Sequence, residues 1–361
     1  MNNIEPRLIT PQARSARAVI ERKFGIKGSL FAIGSGITCG LYTAWVLVGT
    51  SRGVWADWYG ENTAGLTPFV ITFVIAILAS GLNDAFSGIW TLIMCAFNGK
   101  SKDIGRTIKC KPFKLLIIAG ILGGPFGATI SIVALKMAGT ITAAITALNP
   151  AIGTVLALLI FKQKVGSRKW CGIAICVIAA IAIGRTSFDL GSGALLGCII
   201  AFIAAFFGAM EGVVGGYATT MIDYEIAIAL RECTVGIINL FIIVPILCAF
   251  SGMDGLYSYV LSSAVFDPSI IFFVISGFFN VFAFSWWYKG NNMRGAAFGM
   301  AANGTFSFWV PLFSWLIVGL CFGASGYQLS AIQWIAAVVM AFGILVIAMN
   351  PLDLFRKRQE E

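Results

Sequence analysis

The chain has 361 residues, of which 58% are hydrophobic and 11% charged, with a net charge of +9 and a mean hydropathy of +0.89. So apolar a composition excludes an ordinary soluble domain, whose surface must face water. Histidine is absent and the nine Cys form no C-x-x-C pair, so no metal, cofactor or disulfide framework is expected.

Lipid leaves no water for unpaired backbone groups, and the apolar stretches here are too long for barrel strands, so helices are expected. Residues 1–28 are polar and basic, without the apolar core of a cleavable signal, and read as a cytoplasmic N-terminal segment. Ten apolar segments follow, at about 29–49, 68–97, 114–135, 140–161, 169–184, 193–216, 226–250, 269–287, 296–320 and 331–350. Each is read as long enough to cross about 30 Å of hydrocarbon. The predicted class is an all-α membrane protein of ten transmembrane helices, ending in a cytoplasmic tail at 351–361.

The basic residues orient these spans. Arg7 to Lys27, Lys100 to Lys114, Lys162 to Lys169, Lys289 with Arg294, and Arg356 to Arg358 would all lie on one side of the membrane. The opposite loops hold only Arg52, Lys136 and Arg185. A single miscounted span would destroy this split. It predicts cytoplasmic termini in an inner membrane, and it explains the positive charge without nucleic acid as a partner. A homodimer is compatible with the layout.

Five spans per half require the halves, 29–186 and 192–350, to run in opposite directions. Lys136 stands thirteen residues before Asn149 and Lys289 fourteen before Asn303, each pair separated by an Ala-Ala. Trp170 and Trp334 each open a helix of small apolar residues. Inverted repeats of this kind mark carriers in which one half rocks against the other about a central site.

The stretch from Gly139 through Asn149-Pro150, the basic loop, and Trp170 to Gly184 resembles the drug/metabolite transporter superfamily, of the EamA-like kind; residues 295–347 echo it. This chain has Gln163 where that family usually carries an acid at the end of span four, and Asn303-Gly304 where the first half has Asn149-Pro150. The resemblance implies ten helices in two inverted repeats, with spans five and ten peripheral and the others around a cavity.

Ionised groups within a span cost at least about 2.5–3.5 kcal/mol, so those present are expected to face protein or water. Ser80, Asp84, Ser87 and Thr91 share one helix face beside Asn83, which suits a cation or proton site or an interhelical hydrogen bond. Glu211 reads as a lone carboxylate among Gly208, Gly212 and Gly216, suited to proton coupling or to an amine. Arg231 and Glu232 point about 100° apart, so they are not expected to face the same partner. Either Arg231 snorkels to the interface, or Glu232, Gly236 and Asn239 together face the cavity. Further polar stripes comprise Thr142, Thr146 and Asn149; Ser276, Asn280 and Trp287; and Asn303, Ser307 and Ser314. Pro125, Pro150 and Pro311 are expected to kink their helices. Trp90, Trp286, Trp287 and Tyr288 suit an interfacial belt, whereas Tyr42, Trp45 and Trp309 lie deep enough to wall a pocket.

A secondary carrier for a small polar metabolite, an amino acid, amine or sugar, is the leading expectation, working by alternating access with proton coupling left open. A facilitative channel-like pore and a drug or metabolite exporter are the alternatives. The absence of a Walker loop argues against ATP drive, and the absence of His argues against an enzyme.

Overall fold

The computed structural model describes residues 11–60, 65–138, 145–146, 148–160, 167–185, 194–294, 296–324, 327 and 331–348. Among these residues the chain is helical and contains no strand. In order the helices are α1 (Pro11–Thr50), α2 (Gly53–Tyr59), α3 (Val70–Phe97), α4 (Ser101–Ile108), α5 (Lys111–Ile121), α6 (Thr129–Ala138), α7 (Asn149–Ile160) and α8 (Ser167–Arg185). Then come α9 (Ala194–Ala218), α10 (Tyr224–Phe250), α11 (Leu256–Phe266), α12 (Ile270–Arg294), α13 (Ala296–Asn303), α14 (Phe306–Phe313) and α15 (Ala331–Ala348).

Helix occupies every one of the ten predicted apolar segments. Six stretches are long and apolar enough to cross a membrane: Lys23–Thr50, Val70–Phe97, Lys111–Ser131, Leu195–Ala218, Tyr224–Phe250 and Ile270–Met293. The apolar parts of α7, α14 and α15 are shorter. Asn149 opens α7, so Pro150 sits in its first turn, where a missing N–H removes no helical bond; it does not break the middle of a helix. Thr142 lies outside the described residues.

Four helices widen locally into π-helical turns: Val70–Ile75, Leu122–Ala128, Asn239–Ile243 and Ser314–Cys321. Proline explains three of them. Pro125 lies inside the second, Pro245 follows the third, and Pro311 precedes the fourth, each removing a backbone donor and loosening the ladder.

The helices α2, α4 and α11 lie outside the ten segments. Trp55 and Trp58 of α2 are fully buried, packed with Val260 and Ala264 of α11 and with Phe273. Gly53 holds φ +54°, and a Cβ there would strike the Asp267 carboxylate. Asp267 accepts hydrogen bonds from the Val54 amide at 2.9 Å and the Ser269 amide at 2.8 Å. Partial burial opposes its ionisation, but the bonds from Ser269 and Val54 outweigh this and lower its pKa. Arg52 lies over the Phe322 ring, 4.6 Å from its centroid.

Charged residues join the opposite end. Lys100, just after α3, pairs with Asp223 at 2.9 Å and Glu225 at 2.8 Å at the start of α10. Lys289 of α12 donates to Tyr224 Oη at 3.0 Å and lies 4.3 Å from the Phe31 ring centroid. Burial alone would lower the Lys100 pKa, but bonds to Glu225 and Asp223 raise it above the usual lysine value.

The packing of helices is paired. The closest partners are α1 with α12, α8 with α15, α3 with α10, and α9 with the α5–α6 helix. The glycine face of α9 receives its neighbours at close range. A Cβ on Gly208 would fall on Asn149, on Gly212 on Met300 and Trp287, and on Gly215 on Tyr288. Gly215, next to the expected Gly216, thus joins the close-approach face.

Candidate functional site

Three helices bring four ionisable side chains to the centre of the bundle: α3 supplies Asp84, α9 Glu211, and α10 both Arg231 and Glu232. All are buried, with Glu232 fully so and Asp84 8% exposed. Arg231 holds two of the acids. Its Nε donates to Glu211 Oε1 at 2.8 Å and its Nη2 donates to the same oxygen. Its Nη1 donates to Glu232 Oε1 at 2.6 Å. The guanidinium also lies over Phe284, 4.0 Å from the ring centroid.

This arrangement corrects three expectations. Glu211 is not a lone carboxylate, because its cation comes from the next helix. Arg231 does not snorkel, being 4% exposed. Arg231 and Glu232 also share a partnership although their Cα–Cβ bonds diverge, since long side chains converge at their tips. Burial favours this pairing, because an unpaired charge there would be far costlier.

Glu232 is tied down further by Asn280, whose Nδ2 donates to Glu232 Oε2 at 3.1 Å. The face of Glu232, Gly236 and Asn239 packs against α3 instead of opening on the cavity: a Cβ on Gly236 would meet Ala85, and Asn239 lies against Gly81.

Asp84 is placed differently. Its bonds are long ones from Ser80 Oγ and Asn83 Nδ2, both at 3.4 Å. Among the described residues it forms no ion pair. Asn83 Oδ1 accepts from Ser276 Oγ at 2.5 Å, and the same hydroxyl lies 3.0 Å from Tyr42 O. The interhelical hydrogen bond expected of Asp84 is therefore made by its neighbour.

Among the described residues two cavities adjoin this centre and a third continues from them. The first, about 260 Å³, is bordered by Tyr42, Asn149, Glu211, Trp287 and Asn303. The second, about 390 Å³, is bordered by Ser80, Asn83, Asp84, Arg231 and Asn280. The two share Tyr42, Thr43, Glu211 and Phe284 as a common wall. A third, about 570 Å³, shares Val46, Ala76 and Ala79 with the second and reaches Thr50, Tyr59 and Tyr327. The series runs from the Arg52 end of the bundle to its centre, and none of the three reaches Lys100, Asp223 or Lys289.

Asn303 borders the first cavity while its Nδ2 donates to Ser35 Oγ at 2.9 Å. Trp45 stacks on Phe272 with centroids 6.1 Å apart, and Trp309 stacks on Phe313 at 6.0 Å. Neither borders these cavities. Trp287 and Tyr288 are buried rather than interfacial, filling the space left by Gly212 and Gly215. The pairing of α8 and α15 contributes no residue to the cavity walls; Cys176 Sγ lies 3.8 Å from Met340 O at their contact. The side chain of Ser307 lies outside the described residues. Arg231 as the central clamp is what sequence reasoning missed.

Long apolar helices around a buried charged centre fit a multi-pass α-helical membrane protein. No family model and no curated protein matches the chain. A solved structure, described only as the crystal structure of a protein, is similar over 88% of this chain and 96% of its own. The TM-score is 0.58 at 16% identity, a likeness of fold alone.

Proposed function

We propose that the chain is a ten-span secondary carrier for a small polar metabolite, working by alternating access in the inner membrane with both termini cytoplasmic. The observation that carries this reading is a run of three cavities among the described residues. It leads from the Arg52 end to a buried charged centre, while the Lys100–Asp223–Glu225 end is tied by ion pairs. A carrier in one of its two states has this form, whereas a channel needs a continuous pore.

The pairing of helices supports inverted halves. If α1 corresponds to α9, α3 to α10, α5–α6 to α12, α7 to α13–α14 and α8 to α15, each close pair maps onto another close pair or onto itself. The α1–α12 pair becomes α9 with α5–α6; the α3–α10 and α8–α15 pairs map onto themselves. A two-fold in the membrane plane relates halves in this way. The ends gathered around Lys100 and Lys289 carry the basic loops, in keeping with a cytoplasmic side. The resemblance to the drug/metabolite transporter superfamily accords with this layout, and intramembrane carboxylates without a cluster of Lys and Arg favour amino acids, amines and sugars over multiply anionic substrates.

Counterflow in proteoliposomes tests the reading. Vesicles loaded with an unlabelled panel of amino acids, amines and sugars should transiently accumulate at least one labelled member above its external concentration. Glu211→Gln should fold and transport less. Equilibration without accumulation would indicate a channel, and wild-type transport by Glu211→Gln would remove that residue from the mechanism.

A further inference from the structure

We infer that Asp84, Ser80 and Asn280 form a binding site for a compact monovalent cation of the sodium or primary-ammonium type. The site deepens the carrier reading by giving one cavity a ligand class, and it rests on that reading only for the cation's being carried.

Three buried carboxyl groups, Asp84, Glu211 and Glu232, stand against one buried guanidinium charge among these helices. Arg231 is engaged by Glu211 and Glu232, so it is already shared between two acids. Asp84 has no ion pair among the described residues, and its two neutral donors stand at 3.4 Å. A buried carboxylate served so weakly is costly when ionised unless a cation joins it, a proton being the simplest and an alkali or ammonium ion the alternative that also engages neighbouring oxygens.

A second side chain makes the same point independently. Asn280 is fully buried; its Nδ2 is committed to Glu232, and its Oδ1 has no protein partner. Nearly all buried side-chain acceptors find a donor, so the orphaned oxygen of a residue that borders a cavity marks a place where a ligand can supply one. Asn280, Asp84 and Ser80 border the same cavity of about 390 Å³.

The chemistry of the set selects the ligand. A carboxylate, a hydroxyl and an amide oxygen are hard oxygen acceptors bearing a single negative charge. They suit Na⁺, or the three N–H donors of a primary ammonium. They do not suit a soft transition metal, which prefers thiolate or imidazole. A planar guanidinium is already present as Arg231, and an anion would meet two excess carboxylates. The sodium and ammonium alternatives share this recognition and differ only in source: an ion from solution, or the amino group of the transported molecule.

The test is thermal unfolding of the purified full-length chain in detergent. NaCl and methylammonium chloride are each titrated against choline chloride at equal ionic strength. A saturable rise in melting temperature is expected with at least one of them. Response to NaCl assigns the site to an alkali ion; response to methylammonium alone assigns it to an amine. Asp84→Asn should abolish the response, and Ser80→Ala should weaken the apparent affinity by about tenfold. If Asp84→Asn is not monodisperse, Ser80→Ala alone decides.

No saturable rise with either salt, or an unchanged response in Ser80→Ala and Asp84→Asn, would overturn the site. Counterflow without a cation response would remove the site and leave the carrier. A cation response without counterflow would do the reverse.

Discussion

Two acids and a third, all buried within one bundle, are treated in opposite ways. Glu211 and Glu232 share the guanidinium of Arg231, and Glu232 gains a further bond from Asn280. Asp84, on the facing helix, has only a hydroxyl and an amide at the limit of hydrogen-bond distance. The difference separates two jobs. A clamped pair fixes the relation of α9 to α10, whereas an unclamped acid beside a cavity is free to take a ligand. Burial alone, the property all three share, does not tell these jobs apart; the partner does.

Arg231→Met breaks the comparison most severely, because it turns Glu211 and Glu232 into unpaired buried acids like Asp84. Removing one member of a buried ion pair typically costs about 3–5 kcal/mol. A large fall in melting temperature in detergent, or a loss of monodisperse protein, is expected. Adding Glu211→Gln and Glu232→Gln should recover much of the loss. Wild-type melting of Arg231→Met would show that the clamp does not stabilise the bundle.

Much of the scaffold was legible from one sequence, while the clamp was not. The apolar segments announce the helices, because lipid and helix geometry together dictate their length. The close packing at Gly208 and Gly212 also follows from their missing side chains. The Glu211–Arg231 bond joins residues 20 positions apart on different helices, and no periodicity within either helix records which faces meet. Helices α2 and α11 escaped for a related reason. Each is too short to span a membrane, and the burial of Trp55 and Trp58 depends on partners such as Phe273 far along the chain. Trp287 and Tyr288 misled by position: they lie near the end of an apolar segment, yet the glycines of α9 open room for them inside.

A smaller effect sharpens the contrast at Glu211 itself. Gly123 lies in the π-helical turn Leu122–Ala128, and a Cβ there would fall on the Glu211 carboxylate. Gly123→Ala should push that carboxylate off Arg231 and destabilise by about 1–3 kcal/mol, the usual range for overpacking. Gly105 in α4 is the control, since a Cβ there meets nothing within 4 Å. Gly105→Ala should stabilise by about 0.5–1 kcal/mol through helix propensity alone. Equal signs in thermal melting would refute the claim that Glu211 is held in one place.

Asp267 supplies the smallest and most controlled comparison, a carboxylate held by backbone amides at the Arg52 end instead of by a cation. Its pKa is lowered in the fold, so its ionised form contributes stability above the ordinary value of 3.8. That contribution should disappear as pH falls through the lower folded-state value. Asp267→Asn keeps one acceptor oxygen and loses the other, which costs about 1 kcal/mol at neutral pH for a group this open to solvent. Melting curves of the two proteins should therefore differ near neutrality and converge in acid. A difference that persists unchanged below the folded-state pKa would mean that shape, and not charge, joins Asp267 to Val54. The amide-held acid would then differ from Glu211 in the kind of interaction as well as in its partner.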